Sequence, residues 1–293
     1  MTRALVTGSK GQDGTYLTRL LEERGYEVVG IDRGDVELTD GEAVRALLGR
    51  VRPEEIYNLA SPSFVPQSWD DPAEAARTGC VAVAVLLDAV LAVDPSIRVL
   101  QASSAEVFGA AETSPQDEST PYRPRSPYGA AKAFADFLVA SYRERRGLHA
   151  SSAILFNHES PLRPPSFLPA KVAHGVRAIA AGRERELALG NLQARRDWGY
   201  APDYVDAMSR MLQQAEPGDY VVATGEAHSV EELVAAAFAY AGLDWREHVR
   251  VDESLVRPED AQIVGDASKA RRVLGWEPTV TFDELVRLLV DEA

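Results

Sequence analysis

Short apolar runs and helical repeats alternate along the first half of the chain. Residues 3–7 read as a strand and a glycine-rich turn follows. Leu17, Leu20 and Leu21 then recur at i, i+3 and i+4, the spacing of a helix face that Gly25 closes. Residues 27–31 predict a second strand, Thr39 or Asp40 caps a helix running to about residue 48, and 55–59 predict a further strand. A long Ala/Val/Leu-rich helix is expected over 72–93, a strand over 98–102, and a helix from Pro127 to about residue 146, followed by a strand over 151–156. Strands alternating with helices at this pitch predict βαβ units, and hence an α/β fold with a doubly wound, parallel, Rossmann-type sheet.

The pattern loosens after Pro161, Pro164, Pro165 and Pro169. Helices are expected near 170–182, 203–215, 229–242 and 282–292. With 293 residues, a prior of about 150 per domain gives roughly two lobes. We expect a dinucleotide-binding lobe over 1–160 and a smaller substrate-binding lobe over 161–293, partly interleaved with the first.

Composition narrows the partners. Hydrophobic residues make up 45% and charged residues 26%, an ordinary globular balance. The formal net charge of −14 argues against nucleic acid or an anionic membrane surface as the main partner, because each would repel the chain at long range. Cys80 is the sole cysteine, and the histidines never sit at i, i+4, so neither a disulfide nor a metal centre is expected. The longest strongly apolar run, 80–87, ends at Asp88 and reads as too short to span a bilayer. Met1 leads straight into the first strand without a signal-peptide pattern, so a soluble, cytoplasmic protein is expected.

The candidate chemistry begins at the first turn, Thr7-Gly8-Ser9-Lys10-Gly11-Gln12-Asp13-Gly14. Gly8 permits the tight turn, Gly11 a close backbone approach to a pyrophosphate, and Gly14 close helix packing; the helix N-terminus supplies N–H groups and positive dipole. Asp32 ends the second strand, where an acid hydrogen-bonds the adenosine ribose hydroxyls and repels a 2′-phosphate; Arg33 beside it would attract one. The balance favours NAD over NADP, with Glu37 or Leu38 on a short third strand lining the adenine pocket. Tyr128 and Lys132 share a helix face, where a nearby ammonium favours tyrosinate and suits the phenol to act as acid or base near neutral pH. Ser104 and Glu106 follow a strand at the carboxyl edge of the sheet, where ligands bind. A simple alcohol oxidation needs no carboxylate there. A base beside a transient ketone allows proton abstraction at the neighbouring carbon.

The chain resembles the extended short-chain dehydrogenase/reductases and, within them, the GDP-mannose 4,6-dehydratase family. The resemblance rests on the glycine turn, Gln101-Ala102-Ser103-Ser104-Ala105-Glu106, Ser126-Pro127-Tyr128-Gly129-Ala130-Ala131-Lys132, Phe156-Asn157-His158-Glu159-Ser160-Pro161, Arg196-Asp197-Trp198-Gly199 and Ile56-Tyr57-Asn58-Leu59-Ala60. It implies that Tyr128 and Lys132 serve oxidation at C4 of a sugar, with Ser104 where the family has threonine, and that Glu106 is the C5 base. Water then leaves from C6, to which hydride returns, giving a 4-keto-6-deoxy sugar nucleotide. It also implies that Gln12, Asp13, Leu59 and Ala60 lie at the cofactor. Ser63, Asn157, Lys171, Leu189, Asn191, Arg196, Arg257 and Asp260 would hold the nucleotide diphosphate sugar, most directly GDP-mannose. Three departures stand out. Residues 34–40 replace the family's long insert with paired arginines, which helps bind NADP and forms a tetramer contact. Pro62 and Phe64 replace a glutamine and a histidine. Arg257-Pro258-Glu259-Asp260 departs from Arg-Pro-x-Glu.

The reading is a NAD(P)-dependent nucleotide-sugar 4,6-dehydratase. Two alternatives stay open on sequence alone: a reductase or epimerase of a 4-keto-6-deoxy sugar nucleotide, suggested by the short loop after the second strand, and a non-catalytic NAD(P)-binding module. The two long helices are apolar over more than one face, and extended superfamily members pair them across a dimer, so a homodimer is expected.

Overall fold

A computed structural model describes residues 1–256 and 263–292. Its centre is a six-stranded parallel sheet of β1 (Arg3–Thr7), β2 (Glu27–Ile31), β3 (Glu55–Asn58), β4 (Arg98–Ala102), β5 (Ala150–Leu155) and β10 (Tyr220–Val222), in the order β10-β5-β4-β3-β1-β2. Successive residues of each strand serve opposite layers, which is why these strands read as unbroken apolar runs. Ala4 and Val6 enter one core and Leu5 the other; Tyr57 and Ile56, and Leu100 and Val99, divide the same way. The order reverses between β1 and β3, and that crevice, beyond the strands' carboxyl ends, is where doubly wound sheets take ligands.

The helices are α1 (Gln12–Glu23), α2 (Gly41–Val51), the single turn α3 (Gln67–Asp70), α4 (Pro72–Ala76), α5 (Ala82–Val93), α6 (Pro127–Arg146), α7 (Leu168–Ala180), α8 (Ala201–Leu212), α9 (Val230–Tyr240), α10 (Ser268–Leu274) and α11 (Phe282–Glu292). Local chemistry sets their ends. Asp40 caps α2 by accepting from the Glu42 and Ala43 amides. Ser126 accepts from the Gly129 amide, Pro127 opens α6, and Gly147 closes it at φ +69°.

The expected helix over 72–93 contains a wide π turn at Arg77–Val81 between α4 and α5. There Gly79 lets the chain press against α6: a Cβ on it would lie 2.8 Å from Ala131 Cβ. Taken whole, Pro72–Val93 spans 22 residues and is long and apolar enough to cross a membrane by length and composition, which corrects the reading of a run too short to do so. Its Val83, Leu86, Leu87 and Val90 are buried under the sheet, the packing of a core helix.

The second half threads back into the first. α8 and β10 join the core that contains α1, as do Ala270 and Leu274 of α10. A separate core gathers α7, α9, α11, β7 (Leu187–Leu189) and Trp198. Short strands stitch this part together: β6 (Asn157–Glu159) pairs with β9 (Trp198–Tyr200), β8 (Arg195–Arg196) with β11 (His228–Ser229), and β7 with β12 (Val249–Val251). The short third strand expected near Glu37 and Leu38 is not formed; residues 32–40 run as turns.

Candidate active site

The glycine turn is built by close approach. Gly8 sits at φ +71° and donates to Ile31 O at 2.8 Å, with Ala60 N and Leu59 C each 3.1 Å from where its Cβ would be. A Cβ on Gly14 would lie 2.2 Å from Gly8 O, so only glycine lets α1 start this near the turn. The helix opens at Gly11 without a side-chain cap, leaving first-turn amides for an anion. The predicted Gly8, Gly11, Gly14, Leu59 and Ala60 thus surround one crevice. Asp32 faces it, accepting from Ser9 Oγ at 2.6 Å and Lys10 N at 3.1 Å. Arg33 does not: it is 83% exposed and lies 3.5 Å from Glu74. Glu37 is exposed and turned back onto Thr39, accepting from its amide and hydroxyl, while Leu38 packs against the α2–α5 core. That arrangement corrects the expectation of a pocket-lining third strand.

At the carboxyl end of β4 the chain turns into Ala105–Val107, and α6 begins directly above it. Gly129 permits this, since a Cβ there would stand 2.6 Å from Glu106 O. Ser104, Glu106, Tyr128 and Lys132 come together at this junction. Ser104 lies close enough to the Tyr128 phenol to act on its protonation, and its hydroxyl accepts from the Glu106 amide at 3.3 Å. Lys132, 4% exposed, donates to Ala102 O at 2.8 Å and lies 5.6 Å from the Tyr128 ring centre. Burial pushes the Tyr128 phenol up to about 12, helped by the Glu106 charge and opposed by Ser104. Burial also pushes Lys132 down to about 8, against the charges of Asp136 and Asp13. The expectation that a nearby ammonium brings the phenol towards neutral pH is therefore not met here, because desolvation outweighs it. A cavity of about 50 Å³ touches Tyr128 and Lys132 and is walled by Ser61, Pro62, Phe64 and Gln67. A larger concavity of about 730 Å³, with Arg52, Glu54 and Arg98, lies at the opposite, amino end of the sheet, away from these groups.

The sugar-nucleotide candidates are spread more widely. Lys171 on α7 donates to Ala188 O at 2.7 Å, which ties it to β7. Leu189 is 1% exposed, its side chain lies in the second core, and its carbonyl accepts from the Asp252 amide at 2.7 Å. Asn191 accepts from the Gln193 amide, Asn157 and Ser63 are exposed, and Arg196 donates to Arg195 O at 2.7 Å. Next to Arg196, buried Asp197 accepts from Thr224 N, Thr224 Oγ, Gly225 N and Gly265 N, anchoring that strand. Arg257 and Asp260 lie outside the described residues.

The sequence model of the family described as GDP-mannose 4,6 dehydratase matches residues 34–289. GDP-mannose 4,6 dehydratase 1 of Arabidopsis thaliana is 43% identical over 99% of this chain and 89% of its own length. The chain belongs to the GDP-mannose 4,6-dehydratase family. Among solved structures, RMD from Pseudomonas aeruginosa complexed with NADPH is 25% identical with a TM-score of 0.89, covering 100% of this chain and 98% of its own. UDP-glucose 4-epimerase of Thermus thermophilus, complexed with NAD, is 27% identical with a TM-score of 0.87, covering 99% of this chain and 98% of its own.

In this member of the dehydratase family the fold adds partners that the sequence reading quoted only as part of a motif. His158 donates from Nε2 to Asp13 at 2.9 Å and from Nδ1 to Phe156 O at 2.7 Å, so both ring nitrogens face acceptors. Gln12 donates to His158 O and accepts from Ser160 Oγ. Arg163 lies 3.3 Å from Glu159 and stacks on Phe167, which meets Phe64 of the cavity wall edge-on. The glycine turn is thereby clasped to β6. The signal was the run Phe156 to Pro161, but its contact with Asp13 spans 145 residues and no spacing reveals it.

The clasp makes stability depend on pH. The Asp13 charge and hydrogen bond hold His158 above 6.5 despite burial, and His158 in turn holds Asp13 below 3.8. A raised histidine contributes stability that is complete below its unfolded value and fades as pH rises through the folded one; the lowered aspartate contributes above its unfolded value and loses this as pH falls. Thermal melts from about pH 6 to about pH 8.5 should therefore show wild type losing more stability than His158→Gln. Equal slopes would mean that His158 carries no charge in the fold.

Proposed function

We infer that this chain is a NAD(P)-dependent hydro-lyase that converts GDP-mannose to GDP-4-keto-6-deoxymannose. The observation that carries the reading is Glu106 at the Ser104–Tyr128–Lys132 corner of a chain in the GDP-mannose 4,6-dehydratase family. The crevice fits a dinucleotide because Gly8 and Gly14 let the turn fold tightly against residues 59–60 and the start of α1, and α1 opens at Gly11 without a side-chain cap. Gly8, Gly11, Gly14, Asp32, Leu59, Ala60, Tyr128 and Lys132 would hold the cofactor.

When bound, a nicotinamide dinucleotide supplies the two-electron chemistry at C4 and later at C6. The chain's own groups move protons and fix position. Ser104 and Tyr128 face the C4 hydroxyl together, and the phenol oxygen would take its proton as the phenolate, the form that Lys132, Arg163 and the positive ring of a bound oxidised nicotinamide would favour against burial. Once C4 is a ketone, the neighbouring C5–H is acidic. Glu106 removes that proton, and water leaves from C6. Burial of Lys132 and the Phe64 wall keep bulk water from the corner. Glu106→Gln preserves shape but not the base. Dehydration should fall by about 10²–10⁴-fold while sugar-nucleotide binding persists. Mass spectrometry of a sugar-nucleotide panel reads the result: wild type removes one water from GDP-mannose, and a Gln variant as active as wild type would remove Glu106 from its role.

Cofactor choice follows from the turn after β2. The Asp32 carboxylate caps the glycine turn where the adenosine ribose would lie, and Arg33 is drawn outward to Glu74. A 2′-phosphate would bring about two negative charges beside Asp32. NAD should bind more tightly than NADP, and Asp32→Ala should narrow the gap. Titration of both cofactors decides it, and a wild-type preference for NADP of about tenfold or more would assign control to Arg33.

The same reading extends to assembly. Val81 (47% exposed), Phe134 (47%) and Phe137 (63%) form an apolar face on the paired helices Pro72–Val93 and Pro127–Arg146. A second copy burying this face gives a two-fold dimer. Light scattering should return a dimer whose mass falls to the monomer on Phe137→Asp; a monomeric wild type would contradict it.

A further inference from the structure

Asp136 is a buried acid to which the proton steps above give no part. It lies on α6 one turn beyond Lys132, so Tyr128, Lys132 and Asp136 follow each other at four-residue intervals on one helix face. It is 4% exposed. Its Oδ2 accepts from Ser103 Oγ and, at 3.2 Å, from the Tyr122 hydroxyl, while Oδ1 has no hydrogen-bond partner among the described residues. A buried carboxyl with one oxygen unsatisfied is costly, and a fold that keeps it there needs a reason.

The surroundings supply one. Lys132 is equally buried, and its ammonium donates to a neutral carbonyl, Ala102 O. The charges that act to keep it protonated against desolvation belong to Asp136 and Asp13. Asp136 also ties down Ser103, whose neighbour Ser104 leaves β4 to meet Tyr128. We propose that Asp136 is a positioning residue for this reaction: its carboxylate keeps the Lys132 ammonium charged and, through Ser103, seats Ser104 against Tyr128.

The other groups around Asp136 are consistent with a charged carboxylate at neutral pH. Ser152 of β5 and Tyr122 favour the ionised form, and burial, which opposes it, raises the group only to about 6. Asp219, before β10, repels it, but Arg143 engages Asp219 at 2.7 and 2.9 Å. Glu118 acts on Tyr122 and accepts from the Val221 amide.

The proposal rests on the dehydratase reading for its reaction, but its central test does not. The chain has four lysines, Lys10, Lys132, Lys171 and Lys269, so a ¹³C-lysine-labelled sample gives few ε-carbon signals to assign. Asp136→Asn removes the charge and leaves an oxygen for Ser103. In it Lys132 should titrate at a pH lower by about one or more, with the other lysines unmoved. The alkaline limb of kcat for GDP-mannose dehydration should move down equally, with KM little changed. Ser103→Ala should lower kcat with the limb and the Lys132 titration in place, a split that a merely structural role would not produce. Folded wild type alone gives a further reading, a small step in the Lys132 signal at whichever acid pH Asp136 ionises. An unchanged Lys132 titration in Asp136→Asn, or no such step in wild type, overturns the proposal. A wild type that leaves GDP-mannose intact overturns the dehydratase reading and leaves the lysine titration to judge this one.

Discussion

Lys132 places a cation in the interior of the sheet lobe, and much of the active corner is arranged around that cost. An ammonium taken out of water loses several kcal/mol of hydration unless carbonyls and opposite charges replace it. The replacement comes from three directions: Ala102 O at the end of β4, Asp136 along the same helix, and Asp13 at the start of α1. Asp136 reaches Lys132 through the four-residue helix repeat, and small residues let the surrounding elements pack closely. Gly129 seats α6 on the turn at Glu106, Gly79 lets the π turn press against Ala131, and Gly14 draws α1 onto the glycine turn. The chemistry of Tyr128 is downstream of this packing, since burial lifts its phenol while Arg163 acts to lower it and Lys132 Nζ lies 5.6 Å from its ring centre.

Hydrogen bonds tie the start of the chain to the segment that follows the sheet's fifth strand. Gln12 and Asp13, at the start of the first helix, bond to His158 and Ser160 after β5, where the chain leaves the sheet. α8 and β10 then return to the sheet, so the segment carrying Arg195 and Arg196 is bracketed by elements packed on or paired with it. Asp197 fixes that segment to residues 224–225 and 265. Displacing residues 195–197 from the sheet would therefore break identifiable bonds.

Strong punctuation made parts of the fold legible. Ser126-Pro127 and Gly147 bracket α6 at the predicted ends, and the doubly wound parallel sheet follows from alternating runs buried on both faces. The resemblance read from the motifs agrees with the family match, because residues meeting at one strand end lie in short, specific runs. What local pattern could not supply was set by tertiary contact. The wide turn at Arg77–Val81 arises from packing on Ala131, and pairs such as β8 with β11 are two residues long and carry no period. The burial of Leu189 in the second core and the direction of the Tyr128 shift both depend on packing, which spacing does not report.

A 4,6-dehydratase exchanges hydrogen within one sugar, with loss of one water and no net use of cofactor. GDP-mannose carrying deuterium at C4 tests it directly, followed by mass spectrometry and NMR of the product with catalytic NAD or NADP. The account predicts a product lighter by one water with the deuterium retained at C6, and no accumulation of reduced cofactor. Deuterium absent from C6, or NAD(P)H consumed or formed in step with product, would contradict it.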